Sequence, residues 1–271
     1  MIPSIHAQDA LLDRIGYAVR TKKTVTFLVG SPLSAGQHSG EKGVPDVDGM
    51  IELIKEEFAQ EPAGIDALER SISSDPLRRY QTAFEFLVAR RGQSLANLLV
   101  RRAVLNARVD NDDPVDIYID DKCEALERDV DGWFLPPGVR ALSDLLVALP
   151  DALGRVVLTS NFDPLIEVGI QRSSGDFLRT VLHRDGNLGQ TVGKGCNVVH
   201  LHGYWYGSDT LQTTRQLTQE RPQLANSLRS LLQKSTLVIV GYGGWDDVFT
   251  RALMNVVNDD TAYPEVVWTF R

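Results

Sequence analysis

Four short segments combine small residues, an amide or an imidazole in places where they could act on a ligand. Gly30-Ser31-Pro32-Leu33-Ser34-Ala35-Gly36, with the later Gly43-Val44-Pro45-Asp46, offers a backbone that side chains scarcely shield. Such loops let N–H groups approach a phosphate, above all where a helix begins next. Thr159-Ser160-Asn161-Phe162-Asp163-Pro164 places an amide, donor and acceptor at once, beside a phenylalanine that could wall a pocket. In Val199-His200-Leu201-His202-Gly203, period-two alternation puts both histidines on one strand face, His202 nearer the end. Imidazole is the side chain best suited to general-base work near neutral pH. Val240-Gly241-Tyr242-Gly243-Gly244-Trp245-Asp246-Asp247 has three glycines in four positions, which suggests a close backbone approach to a bulky group such as adenosine.

Each segment also has a plain structural explanation. Asp46 or Asp48, Asp163 before Pro164, and Asp246 or Asp247 all fit helix N-caps. The first glycine loop matches neither GxGxxG nor the Walker A pattern. A satisfied core histidine is the default for His200. Metal ligation by the two histidines lacks an evident third or fourth ligand. Capping does not explain the glycines after Val240, and Asn161 divides evenly between a turn role and a ligand role.

The elements that must position these residues are legible as apolar, β-branched runs. They are Val25–Val29, Arg155–Thr159, Asn197–His202, Thr236–Val240 and Glu265–Thr269, with Phe177–Leu182 as a sixth strand. The first four end in turns rich in Gly, Asn, Asp or Ser, and helical periodicity resumes after most of them. Strands alternating with helices imply an α/β, Rossmann-like parallel sheet covered on both faces, whose ligands sit beyond the carboxyl ends of the strands. All four segments lie at such ends, so they should converge on one crevice. Between residues 48 and 149 apolar residues recur at helical spacing, which predicts a helical lobe inserted into a core of residues 1–47 and 150–271. Asp110–Pro114 and Trp133–Gly138 are breaks within that lobe.

Composition narrows the classes. A chain of 271 residues with 43% hydrophobic content supports one large core or a core with a helical annex. No apolar run is long enough to span a membrane, and Met1–Arg20 reads as an amphipathic helix without a signal core, so a cytoplasmic protein is expected. The two cysteines, Cys123 and Cys196, can build neither a disulfide framework nor a four-thiolate zinc site. A net charge of −8 with dispersed Lys and Arg gives no footprint for direct nucleic-acid binding.

Read in order, Gly30-Ser31, Gly43-Val44-Pro45-Asp46, Thr159-Ser160-Asn161-Phe162-Asp163, Leu201-His202-Gly203 and Gly241-Tyr242-Gly243 resemble the motif series of the sirtuin superfamily. The resemblance implies NAD as substrate, with Asn161 holding the ribose and its water, Asp163 near the nicotinamide amide, and His202 as catalytic base. It also implies cofactor contacts from Gly30, Ser31, Ser34, Ala35, Pro45, Asp46, Ser160, Gly241, Tyr242 and Gly243. Sirtuin deacylases carry a four-cysteine zinc domain that this chain lacks, so no zinc is expected. The Phe-Arg pair that usually follows Pro-Asp is also missing. A zinc-free core with a large helical lobe looks like the NAD-hydrolysing effector domains of bacterial anti-phage defence proteins. Those are commonly N-terminal, fused to an NTPase or sensor region, and active as oligomers, and the ending at Trp268-Thr269-Phe270-Arg271 fits that layout.

The expected mechanism places the pyrophosphate of NAD+ against the loop from Gly30 to Ala35 and the nicotinamide ribose between Asn161 and His202. Asn161 would hold a water and His202 would accept its proton, giving ADP-ribose, with proton transfer worth roughly 10²–10⁴-fold. The rivals are NAD-dependent protein deacylation and a non-catalytic module that senses NAD or ADP-ribose.

Overall fold

The structure, a computed structural model, describes residues 8–38, 40–110, 117–188, 195–258 and 265–269. Residues 1–7 of the expected N-terminal helix, most of the 110–114 break, and Phe270 and Arg271 lie outside them. In chain order the elements are α1 Gln8–Arg20, β1 Thr24–Val29, α2 Val47–Glu56, α3 Pro62–Ser74, α4 Arg79–Arg91 and α5 Gln93–Leu105. There follow α6 Asp120–Arg128, α7 Pro137–Ala148, β2 Val156–Thr159, α8 Leu165–Arg172, β3 Phe177–Val181 and β4 Cys196–His200. The last are α9 Thr214–Leu217, α10 Pro222–Leu232, β5 Ser235–Val240, α11 Val248–Val257 and β6 Glu265–Thr269.

The six strands form one parallel sheet in the order β3-β4-β2-β1-β5-β6. Strand alternation decides what each face buries. Val25, Phe27 and Val29 of β1, with Val157, Val198 and Val238, pack against Ala18 of α1, Leu142 and Leu146 of α7, and Ile166 and Ile170 of α8. Leu28, Leu158, Val199, Leu237 and Ile239 point the other way, onto Leu224 and Leu228 of α10 and Phe249 and Val256 of α11. With both faces covered, the central strands tolerate few polar residues, which is why they read as continuous apolar runs. Each such side chain contributes roughly 1.5–3 kcal/mol on burial.

The helical lobe has its own apolar centre, built from Ile54, Phe58, Leu68, Phe84, Leu87, Leu99 and Val104. That centre runs on without a break into Trp133, Leu165, Val168 and Trp205, so the lobe is packed against the sheet layer. α7 lies within the 48–149 segment yet packs Leu142 and Leu146 with the sheet.

Two features of the sheet set up the site. The connections from β1 to β4 all build on one side of β1, and β5 and β6 lie on the other, so the strand order reverses between β1 and β5. In open parallel sheets this reversal opens a crevice beyond the strand ends. The register also aligns Val181, His200, Thr159, Val29, Val240 and Thr269 in one row across the sheet. Ser31, Asn161, His202 and Tyr242 each stand two residues beyond that row.

Candidate functional site

A cavity of about 240 Å³ lies above the ends of β1, β2 and β5. One wall is polar and comes from the sheet loops, with Gly30, Ser31 and Ser34 after β1, Ser160, Asn161 and Asp163 after β2, and Gly241, Tyr242 and Gly243 after β5. Pro45 and Asp46, at the start of α2, complete it. The opposite wall is apolar and belongs to the lobe, with Met50 from α2, Tyr80 from α4, and Val100, Ala103 and Val104 from α5. Trp245 also lines the cavity and packs on Tyr80, ring centroids 5.1 Å apart.

Asn161 is held in the cavity wall by three hydrogen bonds. Its amide Nδ2 donates to Ser34 Oγ at 3.0 Å, and its backbone N–H donates to Thr159 Oγ1 at 3.0 Å. Its backbone carbonyl accepts from His200 Nδ1 at 2.8 Å. These bonds fix side chain and backbone together and leave the amide carbonyl available to a water or a hydroxyl. The Ser34 hydroxyl in turn hydrogen-bonds the Asp163 carboxylate. Burial raises the Asp163 carboxyl to about 6, despite the Ser34 and Leu165 donors and the charge of His200. Asp163 accepts from Leu165 N–H at 3.1 Å, which gives it the capping function expected, although the residue in the formal cap position is Pro164.

His200 belongs to a buried network behind Asn161. Its Nε2 lies 2.9 Å from Glu167 Oε1, which also receives Arg179 Nε at 2.7 Å, and Arg179 reaches on to Glu127 in the lobe. A carbonyl and a carboxylate are both acceptors, so the ring serves both only by donating from both nitrogens. Glu167 is itself buried, but the charges and hydrogen bonds of His200 and Arg179 outweigh that penalty and hold its carboxyl down at about 2. This is the satisfied core histidine expected at position 200.

His202 departs from expectation. β4 ends at His200, so the two histidines do not share a strand face, and His202 sits in the turn that follows. Alternation in sequence continues past the last ladder bond and cannot reveal where the ladder stops. Gly203 then takes φ +95°, and a Cβ there would stand 2.2 Å from the Asp209 carbonyl oxygen. His202 is 1% exposed and does not line the cavity. Its ring runs parallel to that of Trp245, centroids 6.4 Å apart, and Trp245 does line the cavity. His202 Nε2 lies 2.8 Å from Asp247 Oδ2, whereas Nδ1 is buried without a partner.

Gly30 and Gly241, one from each glycine loop, line the cavity and also let backbone meet backbone. A Cβ on Gly30 would lie 2.2 Å from the Gly241 carbonyl oxygen, and Gly241 itself holds φ +66°. Their small size lets the β1 and β5 loops meet at the strand-order reversal. The N–H groups of Leu33, Ser34 and Ala35 are spent on the carbonyls of Gly30 and Ser31 within a tight turn. Ala35 does not line the cavity. No Lys or Arg is among the described residues that line it, so an anionic ligand would rely on hydroxyls, remaining amides and the start of α2. Asp46 is the N-cap of α2, accepting from Gly49 N–H at 3.0 Å.

Sequence reasoning missed the lobe's contribution and the second role of Asp247. Nothing in helical spacing distinguishes Tyr80 or Val100 from any other buried residue, because spacing shows that a face is buried and not what it faces. The N-cap of α11 was legible as Asp246 or Asp247; it is Asp247, which accepts from Thr250 N–H at 2.8 Å, and its hold on His202 was not legible.

Residues 155–270 match the family model described as the SIR2-like domain. The match spans Asn161, His202 and the Gly241–Gly243 turn, and leaves β1, the Gly30 loop and the lobe outside it. No curated protein matches the chain. No described helix is long and apolar enough to cross a membrane.

Proposed function

From a chain whose residues 155–270 match the SIR2-like domain, we propose an NAD+ hydrolase that breaks the bond between nicotinamide and ribose. The observation that carries this reading is Asn161, 6% exposed, pinned by Ser34 and His200 in the cavity wall at the strand-order reversal. Water placed on the Asn161 amide carbonyl attacks the anomeric carbon. The C–N bond breaks with its electron pair leaving on nicotinamide, a C–O bond forms, and the water's proton passes to His202 directly or through a ribose hydroxyl. In this reading Asp163 faces the nicotinamide amide, Ser31 and Ser34 face the pyrophosphate, and the apolar lobe wall excludes bulk water; all three polar residues line the cavity. Because His202 stands behind Trp245, the reading requires the indole to move as the substrate seats. The turn Gly243-Gly244, in which Gly244 holds φ +71°, is where that movement is easiest.

Consumption of NAD+ with no acyl acceptor suits a cytoplasmic effector that depletes the dinucleotide during phage infection, acting as an oligomer with a fused or associated NTPase or sensor region. That wider role rests on the resemblance alone. The test is product analysis after incubating the purified protein with NAD+, alone and with an acyl-lysine peptide. Nicotinamide and ADP-ribose without the peptide are expected. Release that requires the peptide would assign deacylation instead, and intact NAD+ with saturable binding would assign a sensor.

A further inference from the structure

Behind Trp245 lies a hydrogen-bonded chain that the proposed reaction has not yet used. Asp247 Oδ2 receives the Tyr242 hydroxyl at 2.7 Å and faces His202 Nε2 at 2.8 Å, while Oδ1 caps α11 through Thr250 N–H at 2.8 Å. Asp247 is 0% exposed and His202 1%, so none of these bonds is diluted by water. Burial pushes the Asp247 carboxyl up, but the hydrogen bonds it accepts from His202, Thr250 and Tyr242 oppose that, and it lies below the usual range. The group is therefore a carboxylate and can only accept. Tyr242, raised well above its ordinary range by burial and by Asp247, remains a donor. An acceptor at Nε2 obliges the neutral ring to carry its proton there, so the lone pair sits on Nδ1. That is the nitrogen that is buried and unpartnered.

We propose that Asp247 is a positioning residue of the hydrolysis, holding His202 in the tautomer whose Nδ1 lone pair takes the proton from the attacking water. The proposal rests on the hydrolase reading for its catalytic part. When Nδ1 accepts the proton, the imidazolium formed donates from Nε2 to Asp247, whose negative charge stabilises it. Tyr242 fixes the carboxylate so that Oδ2 cannot rotate away. Trp245, three residues after Tyr242 and two before Asp247, lies on the same turn, so movement of the indole and support of the imidazole share one segment.

The decisive variant is Asp247→Asn. Asparagine caps helices as well as aspartate does, so α11 keeps its N-cap and the melting temperature should change by only a few degrees. The amide presents a donor to His202, which must then accept at Nε2 and carry its proton on Nδ1. Two readouts are needed. Nitrogen-15 spectra of protein labelled at histidine, with the His202 signals identified by their loss in His202→Gln, report the tautomer without any turnover. The wild type should show the Nε2–H form and Asp247→Asn the Nδ1–H form. In NAD+ turnover, Asp247→Asn should lower kcat by about 10²–10⁴-fold with KM nearly unchanged. A wild-type Nδ1–H ring, an unchanged tautomer in the variant, or a switched tautomer with undiminished kcat would each overturn the proposal. A wild type that shows the expected tautomer but leaves NAD+ intact would instead refute the hydrolase reading, and the catalytic part of the proposal with it.

Discussion

The substitution Asp163→Asn should stabilise the protein at neutral pH and leave it nearly unchanged at pH 4. The Asp163 carboxyl stands at about 6 in the folded chain against an ordinary value of 3.8, with burial as the largest cause. A carboxyl raised on folding binds its proton more tightly in the folded state, so the folded state is favoured below pH 4. That advantage is lost as the pH rises through 6. About two pKa units at 1.36 kcal/mol each give an upper bound near 3 kcal/mol for the cost of keeping Asp163 ionised at pH 7. Asparagine keeps an acceptor for Leu165 N–H and removes the charge, so the variant should escape this cost. The assay is urea unfolding of wild type and variant from pH 4 to pH 8, with the difference in unfolding free energy plotted against pH. Taking the difference cancels other groups, including Glu167, whose stabilisation is present above pH 4.5 and is lost only as pH falls through about 2. The difference should rise in favour of the variant between pH 4 and 6 and then level off. A difference that is flat with pH, or a variant that is less stable at pH 7 than at pH 4 relative to wild type, would refute the reasoning. A carboxylate held in a cavity at the expense of stability is the pattern expected where charge serves binding.

Three further outcomes follow from the packing. Gly30→Ala forces a Cβ against the Gly241 carbonyl and should cost about 1–3 kcal/mol by thermal unfolding, with an unchanged melting temperature counting against the close approach. Glu167→Gln leaves His200 and Arg179 facing an amide in a buried site and should cost about 3–5 kcal/mol in chemical denaturation at pH 7, where a loss under 1 kcal/mol would show that the ion cluster contributes little. Trp245→Ala uncovers the His202 imidazole, so acylation of His202 by diethyl pyrocarbonate, read by mass spectrometry, should accelerate severalfold, and an unchanged rate would show that the indole is not its cover.

The strands and the crevice were legible because their cause is local. Val25–Val29 and Thr236–Val240 are apolar on both faces because both faces are covered, and this is written into consecutive residues. The caps before α2 and α11 were legible to one of two aspartates each, Asp46 or Asp48 and Asp246 or Asp247, for the same reason, since a cap bonds within three residues of itself. What could not be read depends on partners distant in sequence. The end of β4 is set by Gly203 and the Asp209 carbonyl, so His202 was assigned to a strand it does not enter. The tightness of the Gly30 loop is set by Gly241, more than two hundred residues away, and composition alone does not show that contact. The placing of Tyr80 beside Trp245, and of Trp245 beside His202, joins three elements whose spacing carries no trace of one another.

The claim beneath the rest is that the Asn161 amide, held by Ser34, positions the water that cleaves NAD+. Its most direct test is the rate of nicotinamide release from NAD+ by the wild type and by Asn161→Ala, each shown to be folded by its circular dichroism and melting temperature. The wild type should release one nicotinamide per NAD+ lost, and the variant should be at least about 10²-fold slower. Equal rates in the two proteins would contradict it.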